Sequence, residues 1–380
     1  MENIKNTRKN NIELLRIISM IMIITLHILG HGGLLGNFSP SSVKYYMLWI
    51  LEGVCYISVN CFVLISGYFN IESKFSLRKL SILLLQVIFY SLIIYLTLCL
   101  TGLVQFSPLN LFYSLTPFTS GSYWFATMYI AMYLLSPFVN KLLNTITKTQ
   151  HLKLILTTVS LFSIIPTLAF YSNTFNFGGG YGVVWFLVLY IIAGYIRKYK
   201  IALDKTHYIT YLFFTIFVPF SKFAIIGISK TSIVNHISAD WLLANSNMFY
   251  KYNSIPILIA SIMFFIIFLN IDIRNKHLNK LISFFAPLTF GVYLIHDNSN
   301  LRQILWKFIN ITEYTESPLF FLILLGFILG IFIICSLLEY LRLLLFTPIN
   351  SNTFLSDKCD TMESQLDNLL RIFSESHKEQ

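Results

Sequence analysis

Long apolar runs alternate with short polar segments over most of the 380-residue chain. Each run is close to the length of about 20 residues that an α-helix needs to cross the hydrocarbon core of a bilayer. The pattern predicts an all-α fold, a polytopic membrane helix bundle with about ten transmembrane helices. The predicted helices lie at residues 12–30, 45–69, 80–103, 123–140, 152–171, 183–199, 208–228, 253–272, 281–297 and 317–341.

The composition extends this prediction to the whole chain. Charged residues make up only 12% of the sequence and hydrophobic residues 56%, whereas soluble domains carry about 25% charged residues. The deficit runs along the entire chain, which excludes a soluble domain with a single anchor. The first apolar run lacks a small-x-small cleavage site, so we expect it to be retained as the first helix.

The basic residues predict the orientation of the bundle. With the N-terminus inside, twenty Lys and Arg residues fall on the inner side and six on the outer side. This bias follows the positive-inside rule and accounts for the net charge of +10 without nucleic acid. Both termini are predicted to be cytoplasmic. The six outer residues are Lys44, Lys222, Lys230, Lys251, Arg302 and Lys307.

Two regions follow from this topology: a transmembrane domain at residues 1–345 and a short cytoplasmic tail at 346–380 that contains the amphipathic patch LDNLLRIF. The chain shows no internal repeat. Its five cysteines have no metal-ligand spacing, so we expect neither a disulfide framework nor a zinc site. They are Cys55, Cys61, Cys99, Cys335 and Cys359.

The first predicted helix carries ionisable residues that are costly in hydrocarbon. Arg16 and His27 are eleven positions apart, which is three helical turns, so the two side chains share one helix face about 16 Å apart. We expect both side chains to line one polar cavity, at two positions along it, with Glu13 paired to Arg16. The alternatives are a snorkelling arginine and a histidine bonded to a neighbouring helix. His31 leaves a two-histidine metal site open, although we expect no metal.

These residues resemble the first motif of acyltransferase family 3, in which an acidic residue precedes an arginine that is followed by ten residues and a histidine. Glu13 stands where aspartate is more usual, and Ile17 where glycine is common. Three further segments are similar to later elements of the family and occur in the same order. They are VNCFVLISGYFN (59–70), YWFATMYIAMYLLSPFVNKLL (123–143) and FGVYLIHDN (290–298).

The resemblance implies a membrane-bound O-acyltransferase that uses acetyl-CoA as its donor. The acceptor would be a hydroxyl of a cell-envelope polysaccharide, such as a capsule or exopolysaccharide, or of its lipid-linked precursor. It implies a bacterial plasma-membrane location, contact with the lipid bilayer and association with the polysaccharide biosynthesis machinery. No nucleic-acid partner is expected. The alternatives are a transporter or flippase for a glycan or small solute, which would also suit intramembrane charges, and a structural or sensing partner of an export complex.

Candidate residues for the donor side follow from the charge of coenzyme A, whose phosphates call for guanidinium or ammonium groups. Arg16 is one candidate, and the basic segment after the second motif supplies Arg78 and Lys79. Ser66, Gly67 and Tyr68 are candidates for close approach to the donor; the alternative for Ser66-Gly67 is a small-residue helix contact. Arg78 and Lys79 also satisfy the positive-inside rule.

Candidate residues for the chemistry follow from the weakness of a sugar hydroxyl as a nucleophile, because it needs a base such as histidine. His27 is the predicted base, Arg16 is a second catalytic candidate, and His296 beside Asp297 is a supporting one. Glu52 is a further candidate because buried acids in membrane helices usually have a partner or a function, and we expect that partner to be His27 or Arg16.

The acceptor is expected to meet Trp124 and Tyr293, which belong to the third and fourth motif-like segments. The remaining histidines are predicted to lie in loops or in the tail without a role. They are His151, His207, His236, His277 and His377.

Overall fold

A computed structural model describes residues 10–172, 178–231 and 238–350, together with positions 361 and 365. This described part contains α-helices and no β-strand, which confirms the all-α prediction. The helices are α1 (Asn10–Gly30), α2 (Leu34–Asn37), α3 (Val43–Cys55), α4 (Ser58–Asn70), α5 (Leu77–Leu100), α6 (Pro108–Leu115), α7 (Trp124–Thr145), α8 (Lys148–Val159), α9 (Ile165–Leu168), α10 (Val183–Tyr199), α11 (Lys205–Ser229), α12 (Ala239–Ala244), α13 (Ile255–Leu269), α14 (Lys276–Phe285), α15 (Thr289–His296), α16 (Arg302–Ile309) and α17 (Phe320–Asn350).

Each of the ten predicted segments coincides with a helix or with two consecutive helices. Seven segments are long and apolar enough to cross a membrane, so the chain is a multi-pass membrane protein. The helices α7, α10 and α13 are shorter or less apolar, and the count of ten and the orientation stay predictions. Large apolar side chains such as Leu85 on α5, Phe220 on α11 and Ile334 on α17 are exposed, as expected of helices that face lipid.

Three predicted segments are interrupted inside their length. The segment 45–69 breaks between α3 and α4, a π-helical turn at Ser160–Ile164 separates α8 from α9, and a 3-10 turn at Ala286–Leu288 separates α14 from α15. Pro287 lies in the last of these turns and cannot donate the backbone hydrogen bond that would continue α14. At the other end, α17 continues to Asn350, past the predicted domain boundary at residue 345.

The connections on the two predicted faces differ in length and structure. On the predicted inner side, short connections end in residues whose side chains cap the next helix, which are Ser76, Thr147, Asp204 and Asn275. Such caps satisfy the free N–H groups of a helix start. The predicted outer connections contain the short helices α2, α6, α12 and α16, which the apolar pattern did not predict.

The helix α1 lies at the centre of the bundle. It packs against α3, α4, α13, α14, α15 and α17, and side chains on several of its sides, including Leu15, Ile24 and Ile28, are fully buried. A central helix with ionisable side chains must place them toward a cavity or a polar partner, because lipid cannot solvate them. The position of α1 therefore determines where chemistry can occur.

Candidate active site

One face of α1 lines two cavities in the bundle. Arg16, Met20, Ile23 and His27 follow one another at helical spacing along this face. Met20, Ile23 and His27 line one cavity, and Arg16 lines the other. The predicted shared face of Arg16 and His27 is therefore confirmed. In the described part of the chain, the expected single cavity is seen as two adjoining cavities that share three lining residues, and their walls are largely apolar.

The first cavity, here the histidine cavity, has a volume of about 460 Å³. Trp124 begins α7 at its edge, where its ring stacks at 6.0 Å on Tyr252. Tyr293 is also in the wall, and its hydroxyl has no hydrogen-bond partner in the structure. The two predicted acceptor residues thus meet at the cavity that contains His27. Its lining is Met20, Ile23, Leu26, His27, Val59, Phe62, Trp124, Phe125, Tyr252, Phe290 and Tyr293.

The imidazole of His27 is held by a second histidine. Its Nδ1 lies 3.0 Å from Nε2 of His296, and Nδ1 of His296 lies 2.6 Å from the carbonyl oxygen of Val292. A carbonyl only accepts, so Nδ1 of His296 donates, and in the neutral ring its Nε2 must accept. Neutral His27 therefore donates through Nδ1. This assignment leaves the lone pair on Nε2 of His27, the atom that can accept a proton from a substrate.

A carboxylate and a guanidinium lie directly behind this pair. Asp297 Oδ1 is 3.8 Å from His27 Nδ1 and 3.3 Å from Arg302 Nη1. Burial raises the pKa of Asp297, while the neighbouring His296 and Arg302 oppose this shift. The prediction that Asp297 could orient an imidazole has a geometric basis, although the contact is to His27 rather than to the ring of His296.

Two residues that sequence reasoning missed fix the segment after α15. Asn298 donates to the hydroxyl of Tyr123 at 2.5 Å, and Tyr123 donates to the carbonyl of Leu294 at 2.8 Å. The side-chain oxygen of Asn298 also accepts from the backbone N–H of Asn300 at 2.9 Å. These bonds hold His296 and Asp297 in place. A buried asparagine next to the motif-like histidine is the signal that could have found this support.

The second cavity, here the arginine cavity, has a volume of about 710 Å³. Arg16 lies in its wall and pairs with Glu13 at 3.8 Å, as predicted. Ser66, a residue predicted to approach the acyl donor, lines the same cavity as Arg16. The full lining is Arg16, Phe62, Ile65, Ser66, Leu83, Gln86, Phe125, Tyr129, Ala286, Pro287, Thr289 and Phe290.

Three phenylalanines belong to the walls of both cavities. Phe62, Phe125 and Phe290 line the histidine cavity and the arginine cavity alike, and the rings of Phe62 and Phe125 lie 6.1 Å apart. We call these residues the phenylalanine constriction. Any group that passes between Arg16 and His27 along this face of α1 must pass these three rings.

The other donor candidates differ in their distance from the arginine cavity. Lys79 shares a face of α5 with the lining residues Leu83 and Gln86, one turn before Leu83. Arg78 is its half-buried neighbour in the first turn of α5. Both basic residues therefore belong to the helix that forms one wall of the cavity.

Gly67 and Tyr68 lie on other surfaces of α4. A Cβ on Gly67 would stand 2.9 Å from Cβ of Ala193 on α10, so the glycine permits a close helix contact, the alternative that the sequence left open. The ring of Tyr68 lies under the guanidinium of Arg197 at 4.8 Å. The structure brings neither residue into the arginine cavity.

Glu52 and His151 depart from what the sequence predicted. Glu52 is buried and its Oε2 has no hydrogen-bond partner; within the described residues no ion pair joins it to His27 or Arg16. Its catalytic role stays a prediction without such a contact. His151 lies within α8 rather than in a loop. It is fully buried, and its Nε2 lies 3.0 Å from the carbonyl of Ile191, which explains why a helix keeps it.

The other histidines are peripheral or undescribed. His207 and His277 occupy the first turns of α11 and α14, slightly inside helices that begin earlier than predicted. His236 and His377 lie outside the described residues, as do Cys359 and the tail segment LDNLLRIF. The described cysteines, Cys55, Cys61, Cys99 and Cys335, are all free.

Among the described residues, one group of side chains could hold a metal ion. Ligand atoms of His27, His31 and Asp297 lie within 4.8 Å of one another. The guanidinium of Arg302, however, already contacts the Asp297 carboxylate and adds a positive charge beside it, which opposes a divalent cation. The expectation that no metal binds therefore stays a prediction, with Arg302 as its physical argument.

Comparison with known proteins identifies the family. The family model of the acyltransferase 3 domain matches residues 9–339, so the chain belongs to acyltransferase family 3. No match was found among curated proteins or among solved structures. Together with the apolar helices, the family defines the protein as a multi-pass membrane acyltransferase that acts on an acceptor substrate.

Proposed function

We propose that this membrane acyltransferase transfers an acetyl group from acetyl-CoA to a hydroxyl of a cell-envelope polysaccharide or of its lipid-linked precursor. The reaction takes place in the plasma membrane, with the donor entering from the cytoplasmic side and the acceptor from the outer side. The proposal joins the family membership to the two cavities on one face of α1.

The observation that carries the proposal is the hydrogen-bond chain from Val292 through His296 to His27. In its neutral form this chain directs the free lone pair of His27 to Nε2, the nitrogen that does not contact His296. A hydroxyl in the histidine cavity can give its proton to that nitrogen. General-base catalysis of this kind typically contributes about 10²–10⁴-fold to a rate.

The proposed step can be written with the acceptor hydroxyl, the thioester and His27 as its only reacting groups. The acceptor oxygen attacks the thioester carbonyl carbon, and its proton passes to Nε2 of His27. The carbon–sulfur bond then breaks, and the coenzyme A thiolate takes up the proton from His27. The new bond is an ester. Asp297, 3.8 Å from His27 Nδ1, stabilises the imidazolium that exists between the two proton transfers.

The donor end is supported by the charges around the arginine cavity. Arg16 stands in its wall, and Lys79 lies one turn away along α5, so two cations can meet the phosphates of coenzyme A. The partly apolar walls suit the pantetheine arm. The acyl end then reaches His27 past the phenylalanine constriction.

The acceptor end is supported by the aromatic side chains around the histidine cavity. Trp124, Tyr181 and Tyr252 form a continuous set, with ring distances of 4.6 Å between Trp124 and Tyr181 and 5.0 Å between Tyr181 and Tyr252. Amphipathic rings suit the mixed apolar and polar faces of a sugar. The unpartnered hydroxyl of Tyr293 can bond a sugar oxygen.

A transfer assay with labelled acetyl-CoA tests the proposal. Purified wild-type protein in lipid vesicles should move label to an envelope glycan fraction, and His27→Ala should lower the rate by about 10²-fold or more, the contribution of a lost base. His277→Ala is the matched control, since this exposed histidine lines neither cavity. Wild-type protein without transfer, or His27→Ala with a wild-type rate and protein level, would contradict the proposal.

A further inference from the structure

A groove on the predicted outer side adjoins the active site and belongs to neither cavity. We call it the cationic groove; its volume is about 790 Å³. Arg302 and Lys307 supply two positive charges, and within the described part of the chain its lining includes no carboxylate. The groove is lined by His31, Gly32, Gly33, Arg302, Gln303, Trp306 and Lys307.

Two glycines form one wall of the groove, and each is required for a different reason. A Cβ on Gly32 would stand 2.3 Å from the carbonyl oxygen of Ile28, so the close turn after α1 requires glycine. Gly33 adopts a φ of 78°, which L side chains rarely adopt. The opposite wall is one face of α16, where Arg302, Gln303, Trp306 and Lys307 recur at helical spacing.

An unsatisfied donor lies in the same wall. Trp306 is only 5% exposed, and its indole Nε1 has no hydrogen-bond partner in the structure. A buried donor without an acceptor costs about 1–3 kcal/mol. Arg302 uses one N–H group on Asp297 and has four others. The groove therefore offers a guanidinium and an ammonium group.

The groove is one side chain away from the proposed base. The ring of His31, in the groove wall, lies 5.2 Å from the ring of His27. On the other side, Arg302 contacts Asp297 at 3.3 Å, the same carboxylate that lies 3.8 Å from His27. A group held in the groove would thus sit beside the acceptor hydroxyl rather than beside the donor.

We propose that the cationic groove binds an anionic group of the acyl acceptor, a phosphate or a carboxylate next to the acylated sugar. This inference rests on the proposed function, because it names the chemical class of the acceptor. Arg302 already has Asp297 as a counter-charge, but the groove lining supplies none for Lys307, and a neutral glycan would supply none either. An anion would pair with Arg302 and Lys307 through hydrogen bonds of the stronger, charge-assisted kind.

Binding of small probes to the purified full-length chain tests the groove directly. Equilibrium dialysis at low ionic strength would compare inorganic pyrophosphate, methyl glucuronide and the neutral methyl glucoside. Lys307→Gln should weaken binding of the preferred anion by roughly tenfold, the loss expected for one charged hydrogen bond. Lys230→Gln, which removes an exposed lysine of the same predicted face outside the groove, should leave binding unchanged.

The probes also separate the two sources of negative charge. Tight binding of pyrophosphate alone supports a phosphate-bearing acceptor, and tight binding of the glucuronide alone supports a uronic acid. The inference is overturned if neither anion binds more tightly than the glucoside, or if Lys230→Gln weakens binding as much as Lys307→Gln.

A transfer measurement distinguishes failure of this inference from failure of the proposed function. Absence of acetyl transfer by the wild type would count against the proposed function, while the dialysis result stands by itself. With an active wild type, Lys307→Gln should raise the KM for an anionic acceptor by about tenfold and leave the KM for acetyl-CoA unchanged. Equal KM changes for anionic and neutral acceptors would overturn the groove as an anion site.

Discussion

At the scale of single residues, the site depends on the direction of hydrogen bonds. Either His27 or His296 could donate the hydrogen bond between their rings. The carbonyl of Val292, 2.6 Å from His296 Nδ1, can only accept a hydrogen bond. That backbone oxygen therefore selects the tautomer of both neutral rings. A third group that orients the base is a recurring feature of activated nucleophile systems. We therefore propose that His296 positions His27 without touching substrate.

Substitution of His296 tests this positioning role. His296→Ala removes the acceptor for His27 Nδ1 and should lower kcat by about tenfold or more, as expected for the loss of a hydrogen bond worth about 1.5 kcal/mol. His296→Gln supplies a side-chain oxygen that can accept in place of the imidazole, so it should retain more activity than alanine. Steady-state kinetics with acetyl-CoA should show the loss in kcat and an unchanged KM. Equal activity of the two variants would contradict the tautomer argument.

The Asp297–Arg302 pair makes a prediction about pH. Burial raises the pKa of Asp297, and Arg302 is among the groups that lower it again. Arg302→Gln removes that charge, so the carboxyl pKa rises, and the ionised form that stabilises the His27 imidazolium is lost as the pH falls through a higher value. The acid limb of the rate profile should shift upward by about one pH unit or more. Lys230→Gln is the control, and its acid limb should stay in place; an unshifted limb in Arg302→Gln would contradict the role of the pair.

At the scale of helices, the apolar pattern predicted the existence of the long elements because lipid requires about 20 apolar residues for each crossing. It did not predict the breaks at α3–α4 and α14–α15, where the chain stays apolar through the interruption. It also missed α2, α6, α12 and α16, whose residues are mixed in polarity. The helical period could place Arg16 and His27 on one face, since both belong to one element. The contact between His27 and His296, 269 residues apart in the chain, depends on how helices pack and has no signal in local spacing.

The phenylalanine constriction gives a prediction at the same scale, since it is formed where α1, α4, α7 and α15 meet. Phe62→Ala should enlarge the passage between the cavities and raise the rate with butyryl-CoA relative to acetyl-CoA by about tenfold or more, because methylenes in an apolar pocket discriminate substrates by that order. Phe138→Ala, on a 73% exposed side chain of α7, is the matched control. Competition assays with the two thioesters measure the ratio. A ratio that does not change in Phe62→Ala would show that the constriction does not select the acyl chain.

At the scale of the whole molecule, the proposed function assigns the two ends of α1 to different partners, the acyl donor and the acceptor. The arginine cavity lies toward the end whose connections are predicted to be inside, and the cationic groove lies after the end predicted to be outside. The excess of Lys and Arg in the inner connections predicts this direction, and the family membership does not by itself determine it. For Glu52, the sequence predicted burial correctly. It could not predict a partner, because Arg16 pairs with Glu13 and His27 with His296 in the packed bundle.

Cysteine labelling tests the orientation on which the donor and acceptor sides depend. In a background with Cys99→Ser and Cys359→Ser, Lys307→Cys would report on the groove and Lys79→Cys on the donor side. Both lysines are exposed, whereas Cys55, Cys61 and Cys335 are buried. A membrane-impermeant maleimide should label Lys307→Cys in intact cells and Lys79→Cys only after permeabilisation. The background protein without either new cysteine measures residual labelling. The reverse pattern would place the arginine cavity on the outer side, where cytoplasmic acetyl-CoA cannot reach it. The acceptor would then have to enter from the cytoplasm.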